Sequence, residues 1–327
     1  MLLVGDVGGT KTALAAYREE AGRFVELAHG SFASQSHGAL EEMVRTFLGE
    51  HPTLRVRAAC FGVPGPVVDG RCQTTNLPWT VDSATLATLL GLSHVALVND
   101  LEAMAWGMPH LTPEELHVLN RGHRPLGDGT VAVIAAGTGL GEAILWWDGT
   151  RHHAIPTEGG HADFAPRSEE EIDLYRWLRA RFEGHVSWER VVSGPGLHLV
   201  YDGLRDLAYY PETPAVAERM AKEDPSHVIT ELGVTARDAL CTAALDLFAS
   251  AYGAEAGNLA LKSLALGGVY LGGGIAPRIL PMLEAGEFMK AFTEKGRFAE
   301  LLSGIPVAVA LTGRAPLLGA ARIAAGR

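Results

Sequence analysis

The chain reads as an α/β protein built twice over, and three observations carry that reading. Strand-like and helix-like stretches alternate along its length. A short strand, a Gly/Thr-rich turn and a second strand occur at the start and again in mid-chain. Between them the apolar run Val95-Ala96-Leu97-Val98 stops at Asn99 and Asp100, and Leu101 to Trp106 begins a helix. That run predicts a buried strand with two polar side chains at its carboxyl end, where open α/β sheets hold ligands. Taken alone, Asn99 or Asp100 is better read as a plain helix cap.

The first turn follows a strand over Leu2 to Val4. It reads Gly5-Asp6-Val7-Gly8-Gly9-Thr10-Lys11-Thr12, and Ala13 to Tyr17 predicts the returning strand. Glycines bring backbone close to a ligand, and successive N–H groups in such a turn can hold a phosphate. No Gly-Lys-Ser/Thr closes a Walker A pattern, and no G-x-G-x-x-G opens a helix. Alone, the segment is a β-hairpin. In mid-chain, Thr130 to Ala136 runs into Gly137-Thr138-Gly139-Leu140-Gly141-Glu142, and Ala143 to Trp147 returns. Two such turns point to a duplicated α/β architecture with a nucleotide between its halves.

The remaining elements follow in order. Leu40, Met43, Val44, Phe47 and Leu48 mark an amphipathic helix within Gly38 to Glu50. Arg55 to Phe61 predicts a strand, Gly62 to Pro66 a turn, and Asn76-Leu77-Pro78-Trp79 a loop. Asp82 caps a helix that Gly91 stops. Glu158-Gly159-Gly160-His161-Ala162-Asp163 is a polar loop in which His161 alone reads as a capping or core histidine, and Glu158 and Glu189 as surface carboxylates. Ser168 with Glu171 forms a capping box ahead of a helix whose expected apolar face is Ile172, Tyr175, Leu178 and Phe182. Another helix is expected from Ser193-Gly194-Pro195-Gly196. A long helix rich in small residues spans Thr235 to about Lys262. Gly267 to Leu271 predicts a strand ending in Gly272-Gly273-Gly274, bare backbone against which a flat ring can lie. Pro306 to Leu311 predicts the last strand and Pro316 to Ala325 the last helix.

Composition bounds the function. A chain of 327 residues has room for about two domains. With 47% hydrophobic and 20% charged residues it is an ordinary globular composition. A net charge of −11 argues against a nucleic-acid surface. Cys60, Cys72 and Cys241 are too few for a disulfide framework and suggest a reducing compartment. The opening MLLVGD is too short an apolar run for a signal peptide, and polar residues interrupt Val131 to Trp147, so no membrane span is expected. The expected location is the cytoplasm.

Together the segments resemble bacterial glucokinases of the hexokinase-like, actin-type ATPase superfamily, nearly end to end. The family's first phosphate loop is similar to Gly5-Asp6-Val7-Gly8-Gly9-Thr10 and its second to Gly137-Thr138-Gly139-Leu140-Gly141. Its adenosine glycines resemble Gly272, Gly273 and Gly274, and its base-bearing strand end resembles Asn99-Asp100. Its hexose signature resembles Glu158-Gly159-Gly160-His161 together with Glu189. Lys11 and the GVPGPV segment look more like the repressor/open-reading-frame/kinase (ROK) family. The first cysteine after His161 is Cys241, so that family's zinc cluster is absent and no zinc is expected.

The resemblance implies a two-lobed actin-like ATPase fold, a duplicated ribonuclease H-like architecture with a cleft between lobes. It places residues 1–110 and 312–327 in a small lobe and 111–311 in a large one. It implies ATP-dependent phosphorylation of glucose at the 6-hydroxyl. Asp100 would be general base, and Asn99, Glu158, His161 and Glu189 would bind the sugar. Both glycine turns would hold phosphate, and Asp6 would act on the Mg²⁺ shell through water. A homodimer is typical of the resembled family. The expected partners are glucose and ATP, with no nucleic acid and no membrane. Two other readings stay open: a kinase for mannose, fructose or an N-acylated amino sugar, and a non-catalytic sugar-sensing regulator. Retention of both turns and Asp100 argues against the regulator.

Overall fold

A computed structural model describes residues 1–20, 22–74 and 77–326. Asn76, expected in a loop, lies outside the described residues. The chain divides into two compact units: Met1–Thr112 with Ala154–Pro156 and Thr312–Arg327, and Pro113–His153 with Thr157–Leu311.

In the first unit β1 (Leu2–Val7), β2 (Lys11–Glu20) and β3 (Arg23–Ala33) form a meander. Helix α1 (Leu40–Glu50) buries Leu40, Met43, Val44 and Phe47, the stripe read from their spacing. Strands β4 (Ala58–Val63), β5 (Arg71–Gln73) and β6 (Thr80–Asp82) follow, with β5 and β6 paired to each other. Asp82 caps α2 (Ser83–Leu90) by accepting the Ala84 and Thr85 N–H groups, and Gly91 ends that helix at φ 66°. Strand β7 (Ala96–Asn99) leads directly into α3 (Asp100–Gly107). The main sheet has the order β3-β2-β1-β4-β7, with β1, β4 and β7 parallel.

The second unit opens with β8 (Leu116–Asn120), β9 (Val131–Ala136) and β10 (Leu140–Trp147); β11 (His152–Thr157), whose Ala154–Pro156 group with the first unit, pairs with β10. A helical block follows: α4 (Glu169–Arg181), α5 (Gly194–Asp206), α6 (Pro214–Met220), α7 (Pro225–Val234) and α8 (Ala239–Ser263). Strand β12 (Gly268–Gly272), the short helices α9 (Leu280–Glu284), α10 (Glu287–Thr293) and α11 (Ala299–Ser303), and β13 (Val307–Ala310) complete it. The sheet order is β11-β10-β9-β12-β13-β8, with β9, β12 and β13 parallel and β8 antiparallel on β13. Without β8, this repeats the first sheet strand for strand. The duplication inferred from two glycine turns is therefore a duplication of whole sheets.

Helix α12 (Ala315–Ala324) belongs to the first unit and packs on α3 through small residues. A Cβ on Gly107 would lie 1.8 Å from the Ala315 carbonyl oxygen, and one on Gly319 would lie 1.8 Å from that of Ala103. The two helix backbones touch, so only glycine fits at either contact.

Two expectations need correction. Strand β7 is the edge of its sheet, and Ala96 to Val98 are half-buried rather than buried, because only β4 pairs with it there. Helix α4 buries Glu171, Leu174 and Leu178, whereas Ile172, Tyr175 and Phe182 are only partly covered. Its inner face is rotated because the Glu171 carboxylate turns inward to accept from Ser250 Oγ and the Arg167 N–H.

Candidate active site

In the first unit the candidate side chains sit at the carboxyl ends of β1 and β7. Asn99 caps α3: its Oδ1 accepts the N–H groups of Leu101 at 2.9 Å and Glu102 at 3.4 Å. Its Nδ2 donates to the Gly65 carbonyl at 3.3 Å. Asp100 Oδ1 also accepts from Leu101 N–H, at 2.9 Å. The cap reading of Asn99 thus holds, and the cap is what fixes the pair at the strand end. Asp6 is the penultimate residue of β1, and burial, then the charge of Asp100, pushes its carboxyl up to about 7 against the pull of Lys11. A cavity of about 600 Å³ beside it is lined by Asp6, Lys11, His29 and Arg314 among others.

The first glycine turn is held from behind by Ser34. Ser34 Oγ donates to the Gly8 carbonyl at 2.7 Å and its N–H to the Thr10 carbonyl at 2.9 Å. Thr12 Oγ1 lies 2.9 Å from Ser34 Oγ, and Gly8 N–H closes onto the Lys11 carbonyl. With these carbonyls engaged, the turn keeps a fixed shape before any ligand arrives.

In the second unit the Gly137–Gly141 turn closes by Gly137 N–H on the Gly139 carbonyl at 2.9 Å. Gly194 N–H donates to the Gly137 carbonyl at 2.8 Å, and Ser226 Oγ in turn donates to the Gly194 carbonyl. The triple glycine lies beside it. Gly273 adopts φ +80°, and Ile275 N–H reaches the Ala136 carbonyl. A cavity of about 650 Å³ is lined by Gly137, Thr138, Gly194, Ser226, Gly274 and Arg278 among others. Bare backbone, hydroxyls and one guanidinium around such a volume suit a nucleotide.

The expected sugar residues gather in the same unit. Glu158 and His161 are exposed and flank the tight turn Gly159–His161, which closes by His161 N–H on the Glu158 carbonyl. Trp188 N–H donates to the Ala162 carbonyl at 2.9 Å, tying the Glu189 segment to this turn. Glu189 Oε2 accepts from Leu140 N–H at 3.0 Å and occupies the space a Cβ on Gly139 would need. One carboxylate thus touches the second glycine turn and stands beside the Glu158–His161 segment.

The structure therefore groups the candidates into two clusters, one in each unit. Sequence reasoning missed Ser34, Ser226 and Arg278. Only Ser226 carries a local signal, because Asp224-Pro225-Ser226 starts a helix with Asp224 capping His227 N–H.

Residues 3–327 match the family model described as Glucokinase. The chain belongs to the glucokinase family. A glucokinase of Nostoc punctiforme is 40% identical, covering 99% of each chain. One of Shigella dysenteriae is 38% identical over 97% of this chain and 94% of its own. A crystal structure of a glucokinase from an Antarctic psychrotroph superposes with a TM-score of 0.87 at 29% identity, covering 100% of this chain and 99% of that one. A ROK family glucokinase from Streptomyces griseus shares the fold, with a TM-score of 0.68 at 22% identity over 100% and 99%. The actin-like ATPase fold of glucokinases accounts for the two repeated sheets, and the chain is a sugar kinase of that family. Among the described residues no helix is long and apolar enough to cross a membrane.

Proposed function

We propose that this glucokinase-family chain transfers the γ-phosphoryl group of ATP to the 6-hydroxyl of glucose, with Asp100 as general base. The observation that carries the proposal is the fixed strand-end pair: Asn99 is locked by three hydrogen bonds and holds Asp100 beside it. The relatives named glucokinase support the choice of sugar.

The 6-hydroxyl proton passes to the Asp100 carboxylate as its oxygen bonds to the γ-phosphorus, and the bond from phosphorus to the β-bridging oxygen breaks to release ADP. Asn99, Glu158, His161 and Glu189 bind the other hydroxyls. Carboxylates only accept hydrogen bonds, so Glu158 and Glu189 read hydroxyl donors and orient the ring. The backbones of Gly5 to Thr10 and of Gly137 to Gly139 hold phosphate, and Gly273 and Gly274 receive the adenosine. Asp6 suits a divalent ion held through water, since it is half-buried, lines a cavity and feels the charge of a second carboxylate, Asp100. Mg²⁺, when bound, neutralises phosphate charge.

The proposal includes no zinc, a homodimer and action in the cytoplasm, without nucleic acid or membrane partners. Cys241, the first cysteine after His161, is buried in α8 and free. Stoichiometric zinc by elemental analysis, with activity lost on its removal, contradicts the first of these. Light scattering on the purified protein tests the dimer.

The test of function is ADP release by a coupled assay across glucose, mannose, fructose and N-acylated amino sugars. Glucose should give the highest kcat/KM. A higher value for another hexose overturns the substrate, and no ADP release with any overturns the kinase reading.

A further inference from the structure

A buried carboxyl pair lies behind the turn that carries Glu158 and His161. Glu142, on β10 directly after the second glycine turn, is 2% exposed, and Glu255, on α8, is 0% exposed. Glu255 is served on both oxygens, by Asn258 Nδ2 at 2.8 Å and Lys262 Nζ at 3.3 Å. Glu142 Oε1 is buried and receives no hydrogen bond from any described donor. Glu142 Oε2 lies against Gly159, where a Cβ would come within 2.0 Å of it. The same strand residue also binds the turn through its backbone. Thr157 Oγ1 donates to the Glu142 carbonyl at 2.9 Å and accepts from Gly159 N–H at 3.1 Å.

A carboxylate only accepts hydrogen bonds, so two ionised carboxylates offer each other nothing and repel in a dry interior. One proton removes both difficulties, because a carboxylic acid donates. We infer that Glu142 is a positioning residue for the hexose site: held as the acid, it bonds to Glu255 and seats the Gly159 turn, fixing Glu158 and His161. The inference rests on the reading of those two residues as hexose contacts.

The surroundings agree. Burial, then the charge of Glu255, pushes Glu142 up to about 8, while Lys262 opposes. Burial also raises Glu255, against Asn258, Lys262 and Lys295. The groups facing the pair are Glu255, Tyr252 and Lys262 from α8 and Lys295 from the segment after α10, with Arg167 acting on Lys295. Tyr252 is engaged with the Ile134 carbonyl and Lys295 Nζ with that of Ala254. Among the described residues Lys262 is the cation bonded to the pair, and it serves Glu255. Above about pH 8 Glu142 ionises, is driven from Glu255, and disturbs the turn packed on it.

The test is calorimetric titration of glucose into the full chain without nucleotide, at about pH 7 and about pH 9, for the wild type and Glu142→Gln. Glutamine keeps the shape and a donor but has no proton to lose. Wild-type affinity should fall by up to about tenfold, since about a tenth of the chains keep the proton one unit above a midpoint. The variant should stay within about twofold across the same range. Wild-type affinity that holds at the higher pH overturns the inference by itself, whether or not the variant folds. Equal weakening in both proteins overturns it while leaving the hexose site in place. No glucose binding by either protein at the lower pH overturns the hexose reading, and the inference falls with it.

Discussion

Asp100 raises the proton affinity of Asp6, and the two carboxyls stand at the same end of one sheet, Asp6 on β1 and Asp100 just after β7, with β4 between those strands. Asp6 pairs in register with Gly62 of β4, and a Cβ on Gly62 would sit 3.4 Å from the Asp100 Cα. Burial and this second negative charge push Asp6 up to about 7. A half-buried carboxyl so placed calls for a cation.

That relationship predicts how the Mg²⁺ requirement changes with pH. Proton and cation compete for Asp6, so the proton wins as pH falls below about 7. The Mg²⁺ concentration for half-maximal rate should rise toward lower pH by up to about tenfold per unit. Mg²⁺ titrations at saturating glucose, at about pH 6 and about pH 8, measure it. A requirement independent of pH removes Asp6 from the cation shell.

Glu158 and Glu189 should separate in steady-state kinetics. Glu158 lies exposed beside the Gly159–His161 turn, whereas Glu189 Oε2 holds Leu140 N–H in the second glycine turn at 3.0 Å. Glu158→Ala should therefore raise KM for glucose by about tenfold and leave KM for ATP nearly unchanged, the loss expected for one charged hydrogen bond. Glu189→Ala should raise both. An effect of Glu158→Ala on KM for ATP alone means the sugar and nucleotide clusters are misassigned.

The contact between α3 and α12 should tolerate no side chain. Gly107→Ala and Gly319→Ala each drive a methyl into a carbonyl of the facing helix, at 1.8 Å from the oxygen. Backbone cannot step aside as a flexible side chain does, so each change should destabilise by about 1–3 kcal/mol or more. Urea unfolding monitored by circular dichroism checks this. A midpoint equal to wild type contradicts the close packing.

Much of this was legible in the sequence where the signal is local. The glycine turns, Asn99-Asp100, the Asp82 cap, the Gly91 stop and the helix start at Ser193 to Gly196 are each set by chemistry within a few residues. Strand β3 was not legible. It lies at a sheet edge, and the exposed run from Val25 through Leu27 breaks the alternation that the rest of the strand shows. The edge position of β7 was hidden for a related reason: an apolar run shows that a strand forms but not which neighbours cover it. Ser34 supports Gly8 from 26 residues away, and Glu142 meets Glu255 only once β10 packs on α8. No window of sequence contains both partners of either contact.

The central claim is that Asp100 takes the proton from the sugar hydroxyl, and turnover of Asp100→Asn tests it most directly. Asparagine keeps the size and can still accept the Leu101 N–H, so α3 should start as before. Glucose-dependent ADP release should fall by about 10²–10⁴-fold in kcat, the usual worth of a positioned base, while glucose binding by calorimetry persists. A variant that binds glucose and turns over near the wild-type rate contradicts the account.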